Sequence, residues 1–240
     1  DLLYGSVTNN TFNGFVNLGT GTNKGLIMAS GNTGSPLLEL SNAASYTNNN
    51  FTGGYIKYKG KFYGNTSNNL GYGLVDFTKE IYNNTFIYPV DSNPTQYINA
   101  NSYIYNNTFI NTGFRIQYGS LSDTIVFDTV TVDYTAQPTN EAFYRSTVTT
   151  NVIAINSTFK NAKFKHRTIN KPLDFIDGAW YFESCTFQDI TDYVILLTIN
   201  TSNTVPVEFY FKNCTFIGSG TFQTKTYGSG LSHITFDNCT

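Results

Sequence analysis

The sequence predicts an all-β chain wound as a solenoid, in which one short structural unit is stacked on the next. Two observations carry this. A strand-turn-strand motif returns along the whole chain, and around each copy apolar and polar residues alternate with the two-residue period of a strand. No segment sustains the apolar period of a helix, and β-branched and aromatic residues interrupted by Gly and Asn dominate instead.

Composition narrows the class. Charged residues are 12% of the 240, against roughly 25% in ordinary soluble proteins. Hydrophobic residues reach 40% and aromatics 16%, which excludes a disordered chain. Solubility therefore falls to neutral polar side chains such as Asn, Thr and Ser. The net charge of −2 supplies no basic face, so no nucleic-acid partner is expected. The longest apolar run, Val194 to Leu197, is far short of the ~20 residues that span a bilayer, so no membrane insertion is expected. No signal-peptide pattern is present, and the first residue is Asp1 rather than Met.

The motif is an apolar strand, then Asn, a small residue, Thr and Phe. It reads Asn9-Asn10-Thr11-Phe12, Asn48-Asn49-Asn50-Phe51, Asn83-Asn84-Thr85-Phe86 and Asn106-Asn107-Thr108-Phe109. It continues as Asn156-Ser157-Thr158-Phe159, Ser184-Cys185-Thr186-Phe187, Asn213-Cys214-Thr215-Phe216 and Asn238-Cys239-Thr240, with a weaker copy at Phe127-Asp128-Thr129-Val130. The Phe positions lie roughly 21 to 39 residues apart, a solenoid spacing. The variation points to a constant core with loops of unequal length. The two longest gaps, before Phe51 and before Phe86, place loop insertions near residues 19–34 and 64–73, both rich in Gly and Asn.

Side-chain directions follow from alternation. In Phe209-Tyr210-Phe211-Lys212 the two Phe point inward and Lys212 outward. Asn213 then turns the chain, because Asn tolerates the left-handed backbone conformation that the bend needs. After it, Cys214 and Phe216 point inward and Thr215 outward. Likewise Ile104, Asn107, Phe109, Ile234 and Phe236 are expected inside, and Tyr105 and Asp237 outside. One unit cannot bury its own apolar face, but stacked units can, pairing at ~4.8 Å. Stacking predicts an internal column of Phe86, Phe109, Phe159, Phe187 and Phe216. It also predicts an amide ladder of Asn83, Asn106, Asn213 and Asn238. Outside, Glu183, Lys212 and Asp237 fall on equivalent positions as an alternating-charge column, worth ~0.2–1 kcal/mol per pair.

The Asn-Cys-Thr-Phe and Asn-Asn-Thr-Phe copies resemble the recurring turn of the pectin-lyase-like superfamily of parallel β-helix proteins, and the resemblance covers essentially the whole chain. It implies a single-stranded right-handed parallel β-helix with three strands per coil and about eight or nine coils. Residues 1–240 would form one domain. Neither end carries a visible cap, so a segment of a longer protein is expected. Proteins of this kind include adhesin-like surface proteins, phage tailspikes, and polysaccharide lyases and hydrolases.

The three cysteines, Cys185, Cys214 and Cys239, share one repeat position. They are expected as an inward column of free thiols, in the slot that Asn49, Asn84 and Asn107 fill upstream. Neither a disulfide nor a metal site is expected of them, because parallel side chains do not readily reach disulfide geometry and no ligand cluster surrounds them. Buried thiols are also inert. Asn-X-Ser/Thr triplets begin at Asn9, Asn50, Asn65, Asn83, Asn106, Asn156, Asn200, Asn213 and Asn238. Most coincide with the turn motif. Asn65 and Asn200, in loop-like stretches, are the expected glycan acceptors.

Candidate chemistry is sparse. The 16 Asp and Glu are scattered, and the Gly-His-Gly, Asn-Thr-Asp and Gln-Asp-Thr-Leu patterns of related hydrolases and esterases are missing. No cofactor is implied. The densest polar stretch holds Lys160, Lys163, Lys165, His166, Arg167 and Lys171, followed by Asp174, Asp177, Glu183, Asp189, Asp192 and the sole Trp, Trp180. A glycan groove there would use Trp180 as a stacking ring, Asp174 and Asp177 as hydroxyl acceptors, and His166 and Arg167 at the rim. Asp174 and Asp177 are also the candidate catalytic carboxylates, should the chain be an enzyme. Outward tyrosines are a second candidate surface, among them Tyr82 and Tyr105, with Tyr55, Tyr58, Tyr63 and Tyr72 dense in one stretch. An ice-binding array is discounted, since Thr129, Thr131 and Thr135 form only a short run.

Two functions therefore compete. The first is an extracellular, cell-surface or virion-surface binding module of adhesin or tailspike type, whose partner is a cell-surface polysaccharide or receptor. The alternative is a polysaccharide lyase or glycoside hydrolase with a groove on the helix face. Trimerisation, frequent in tailspikes, is left open.

Overall fold

The computed structural model describes residues 4–12, 15–18, 26–30, 33–34, 37–40, 44–51, 54–57, 60–68, 70–71, 80–87, 95–99, 102–118, 124–135, 141–146, 151–168, 179–191, 193–199, 207–218, 220–226 and 232–240. Among them every regular element is a strand, and there is no helix. The strands pair in parallel, and neighbours within a sheet lie three strands apart in the chain. An 11-stranded first sheet runs from Tyr4–Thr8 through Leu26–Ser30 to Val207–Lys212 and Ser232–Asp237. The strand after each of these enters a 10-stranded second sheet, from Thr11–Phe12 to Thr215–Ile217. The third strand enters a 4-stranded sheet, from Phe15–Leu18 to Leu70–Gly71, or a 6-stranded one, from Thr95–Asn99 to Thr221–Thr226. The fold is thus all-β and built of parallel ladders in a three-strand repeat.

Among the described residues, the step from first to second sheet passes a single left-handed residue. Asn9, Asn48, Asn83, Asn106, Asn156, Asn213 and Asn238 hold φ between 50° and 57°, as do Thr129 and Ser184, and Gly64 sits at 66°. Asn is the residue most able to stand there without Gly's freedom, because its short polar side chain bonds locally. The expected amide ladder forms only as two separate pairs, with Thr129, Asn156 and Ser184 between them: Asn106 Nδ2 donates to Asn83 Oδ1 at 2.7 Å, and Asn238 Nδ2 to Asn213 Oδ1 at 2.8 Å.

The residue after the corner points inward and meets a second ladder. Asn65 Oδ1 accepts from both the backbone N–H and the amide of Asn49, at 2.9 and 2.8 Å. Asn84 Oδ1 does the same for Asn65, at 2.9 and 3.1 Å, and Asn107 Oδ1 for Asn84, at 3.0 and 3.0 Å. The corner rotates this N–H out of the sheet ladder, and a side chain one rung on must satisfy it, or the fold bears the cost of a buried unpaired donor. Ser157 Oγ accepts the Val130 N–H at 3.0 Å in the same way. Cys185, Cys214 and Cys239 continue the slot as free thiols donating to backbone carbonyls.

The core lies in the angle between the first and second sheets. Second-sheet rings stack rung on rung: Phe86 on Phe109 at 4.9 Å, Phe159 on Phe187 at 5.3 Å and Phe187 on Phe216 at 5.0 Å. Phe182 and Phe211 stack from the first sheet at 4.9 Å and meet Phe187 edge-on at 5.3 and 5.5 Å. This herringbone places ring edges against ring faces, the arrangement that the aromatic quadrupole favours.

Three expectations are corrected. Residues 19–34 and 64–73 are not simply inserted loops: Leu26–Ser30, Thr33–Gly34, Thr66–Asn68 and Leu70–Gly71 are strands of the repeat. Gly34 and Ser67 stand in the Phe column opposite Phe51, and Gly64 in the Asn corner, which hid both copies. The weak copy is also misaligned. Thr129 is the corner, Val130 the inward slot, and Val132 interrupts the Phe column between Phe109 and Phe159. Finally, the 11 rungs of the first sheet exceed the eight or nine coils implied by the motif. A second left-handed corner, at Asn111, Asn161, Asp189 and Gly218, follows the second strand and was not anticipated.

Two stability changes follow, both read by chemical denaturation. Phe109, fully buried, should lose about 3–5 kcal/mol as Phe109→Ala through the cavity left in the column. Thr129, β-branched and held at φ 53°, should gain about 1 kcal/mol as Thr129→Asn, because Asn relieves the left-handed strain.

Candidate functional site

The described residues of the polar stretch are not contiguous in space. Trp180 faces the core, 1% exposed, stacked on Phe209 at 5.9 Å and on Phe182 at 6.1 Å. It therefore offers no face to a sugar, and its role as a stacking platform is overturned. Strand alternation explains this, since Trp180 pairs in register with inward Val152 and Phe209. Lys163 is buried with its Nζ 5.4 Å from the Tyr193 ring centre, whereas Lys160 reaches outward to Asp133 at 3.8 Å. His166 and Arg167 lie on the strand Lys163–Thr168, in register with Leu197 and Thr198. Asp174, Asp177, Lys171, Asp192 and Asn200 lie outside the described residues, as does Tyr72. Among the described residues, no group of His, Cys, Asp and Glu is placed to hold a metal ion.

Asn65 is also relocated. It is 2% exposed and sits in the inward amide ladder, so it is no loop acceptor for a glycan. The triplet Asn65-Thr66-Ser67 marks a repeat copy whose corner is Gly64 rather than Asn.

What the fold does assemble is an outward face on the first sheet. One column reads Tyr82, Tyr105, Asp128, Ile155, Glu183, Lys212 and Asp237. Beside it, two residues earlier on each strand, runs Tyr103, Val126, Ile153, Tyr181, Tyr210 and Thr235. Tyr82 and Tyr105 stack at 4.7 Å and 5°, and Tyr103 leans on Tyr105 at 5.1 Å. Each remaining Tyr hydroxyl donates to a carboxylate: Tyr103 to Asp128 at 2.9 Å, Tyr181 to Glu183 at 3.0 Å, and Tyr210 to Glu208 at 2.7 Å. Tyr103 is the most open of these rings, at 39% exposure.

The charges on this face hold one another. Lys212 Nζ lies 3.0 Å from Glu183 Oε1. Lys212, and then the Tyr181 hydroxyl, keep the Glu183 carboxyl below the usual range, and Glu183 raises Lys212 in return. Tyr103 is raised first by its bond to Asp128 and then by desolvation, whereas for Tyr181 desolvation leads and the bond to Glu183 follows. These tyrosines stay neutral donors, and the carboxylates keep lone pairs free for an incoming hydroxyl.

The second sheet presents a different face. Thr66, Thr85, Thr108, Thr131, Thr158, Thr186 and Thr215 form one in-register column, longer than the short run read from the sequence. The adjacent outward column carries Ile110, Asp133, Lys160 and Gln188, so the hydroxyl array stays one residue wide. That excludes the flat, two-dimensional Thr surface an ice face needs.

Comparison with protein-family models finds no match, and comparisons with curated proteins and with solved structures find none either.

Because the folded pKa of Glu183 lies below its unfolded value, the Glu183–Lys212 pair adds stability above the ordinary carboxylate range and loses it as pH falls through the folded pKa. Lys212, shifted upward, holds its share throughout that acid window and loses it only at strongly alkaline pH. Melting temperature measured from neutral to acid pH should therefore fall less steeply in Glu183→Gln than in the parent chain.

Proposed function

We propose that the chain is a right-handed parallel β-helix of the pectin-lyase-like kind, with three strands per coil, and that it serves as an exported surface rod that binds a hydroxyl-rich, uncharged polysaccharide. The observation that carries this reading is the tyrosine–carboxylate face of the first sheet. Six interstrand steps from Tyr82 to Asp237 extend it over roughly 29 Å, a length suited to an extended polymer. Carboxylate oxygens accept from sugar hydroxyls, and tyrosine rings add amphipathic contact area at low entropic cost. Asp128, Glu183, Glu208 and Asp237 against Lys212 leave the face acidic, which disfavours a polyanionic partner. The face is a row of repeated, shallow positions rather than a closed pocket, and repetition along an axis gives avidity.

Binding to immobilised neutral polysaccharides and to a polyuronate, measured side by side, tests the proposal. The neutral polymers should bind more tightly. Tyr103→Ala and Asp128→Ala should each weaken binding about 10-fold, the worth of one hydrogen bond to a charged group, without shortening the polymer. Stronger binding of the polyuronate, unchanged binding by both variants, or release of shortened sugar chains would each refute it.

A further inference from the structure

The corner asparagines beside the first sheet double as acceptor triplets for N-linked glycan, since Asn-X-Ser/Thr is both the turn motif and the glycosylation signal. Their surroundings differ. In the pairs Asn83–Asn106 and Asn213–Asn238 one amide donates to the next, at 2.7 and 2.8 Å. Nδ2 is the atom that would carry a sugar, and in Asn106 and Asn238 it is already engaged. Beyond Asn83 the corner is Gly64, and a Cβ there would lie 2.7 Å from Asn48 Oδ1, so Asn48 fills that gap.

Asn156 stands apart. Its side chain is exposed, and among the described residues its one hydrogen bond is through the backbone N–H, to Glu183 O at 3.0 Å. The neighbouring corners are Thr129 and Ser184, both at φ 53°. Among the described residues neither side chain bonds to the Asn156 amide. The Thr129 hydroxyl turns back to Asp128 Oδ1 at 3.0 Å instead. The following residue, Ser157, is buried and bonded to Ile155 O at 2.8 Å, so the chain is anchored while the Asn156 amide projects into open space.

We infer that Asn156, in the triplet Asn156-Ser157-Thr158, is a position at which the folded chain accommodates an N-linked glycan. The donor is a lipid-pyrophosphate-linked oligosaccharide. A bond forms between Nδ2 and the anomeric carbon, the lipid pyrophosphate leaves with the electrons of the broken C–O bond, and the displaced Nδ2 proton passes to the transferase. A glycan at this corner leaves the ladders on both sides intact. At Asn65 the same modification is incompatible with the fold, because that amide is buried and bonded to Asn84 Oδ1 at 3.1 Å. The inference rests on reading the chain as exported, but its test imposes export and so stands apart from the polysaccharide assay.

The chain is expressed behind a secretion leader in a glycosylating eukaryotic host. Occupancy at each triplet is read by mass spectrometry after peptide-N-glycosidase release in heavy-oxygen water. Asn156 should be occupied in most secreted molecules, with Asn106 and Asn238, whose Nδ2 atoms are engaged, several-fold lower and Asn65 occupied only in retained material. Asn156→Gly removes the acceptor while keeping the left-handed corner, and should cost the secreted protein one glycan mass without impairing secretion. Thr158→Val, which destroys the triplet but leaves Asn156 in place, should do the same. Secreted protein bare at Asn156, or Asn106 and Asn238 occupied as fully as Asn156, overturns the inference.

Discussion

Among the described residues, the corner between the first and second strand of a repeat holds one left-handed residue at φ 50–66°, and that single rotation organises the structure around it. It turns the next N–H away from the sheet ladder and into the core. A buried donor must then be met, and the acceptor that meets it comes from the following rung, through Asn65, Asn84, Asn107 and Ser157 in turn. The corner thereby locks neighbouring repeats into register, because a slip by one residue would leave the donor facing an apolar side chain. In-register stacking in turn aligns the rings at Phe86, Phe109, Phe159, Phe187 and Phe216.

The same register writes the outer surface. Residues far apart in sequence become neighbours about 4.8 Å apart whenever they share a repeat position. Glu183 reaches Lys212 for this reason, and Tyr103 reaches Asp128 diagonally, one rung on and two residues along. The stretch from Lys160 to Trp180, compact in sequence, is dispersed by the same rule: Lys160 faces out on the second sheet, Lys163 is buried, and Trp180 packs in the core. In stacked parallel ladders, sequence proximity is a poor guide to a site, and equivalence of repeat position is a good one.

Departures from the motif are also informative. Gly64 keeps the corner without an Asn, Val132 breaks the ring column, and Thr129 tolerates a conformation poorly suited to a β-branched residue. Each is absorbed because the neighbouring rungs hold it from both sides. Thr129 and Ser184 interrupt the outer amide ladder and leave Asn156 alone between them, so weak copies of the repeat are where the surface becomes chemically distinct.

The motif copies, with their alternation, determined the strand class, the stacked repeat, the inward Phe86, Phe109, Phe159, Phe187, Cys185 and Cys214, the outward Glu183–Lys212–Asp237 column and the Asn corners, whereas Phe236, expected inside, is 48% exposed on the last rung. These depend on local backbone preference and two-residue periodicity, which any single copy displays. The copies near Gly34 and Ser67 were illegible because both Asn and Phe are replaced there, and only hydrogen-bond pairing with the rungs on either side reveals them. The inward Asn49–Asn65–Asn84–Asn107 ladder, the burial of Trp180 and the Tyr103–Asp128 contact were decided by the tertiary structure. Each depends on which residue of one repeat lies above which residue of the next, and that register is set by long-range pairing rather than by any local segment of the chain.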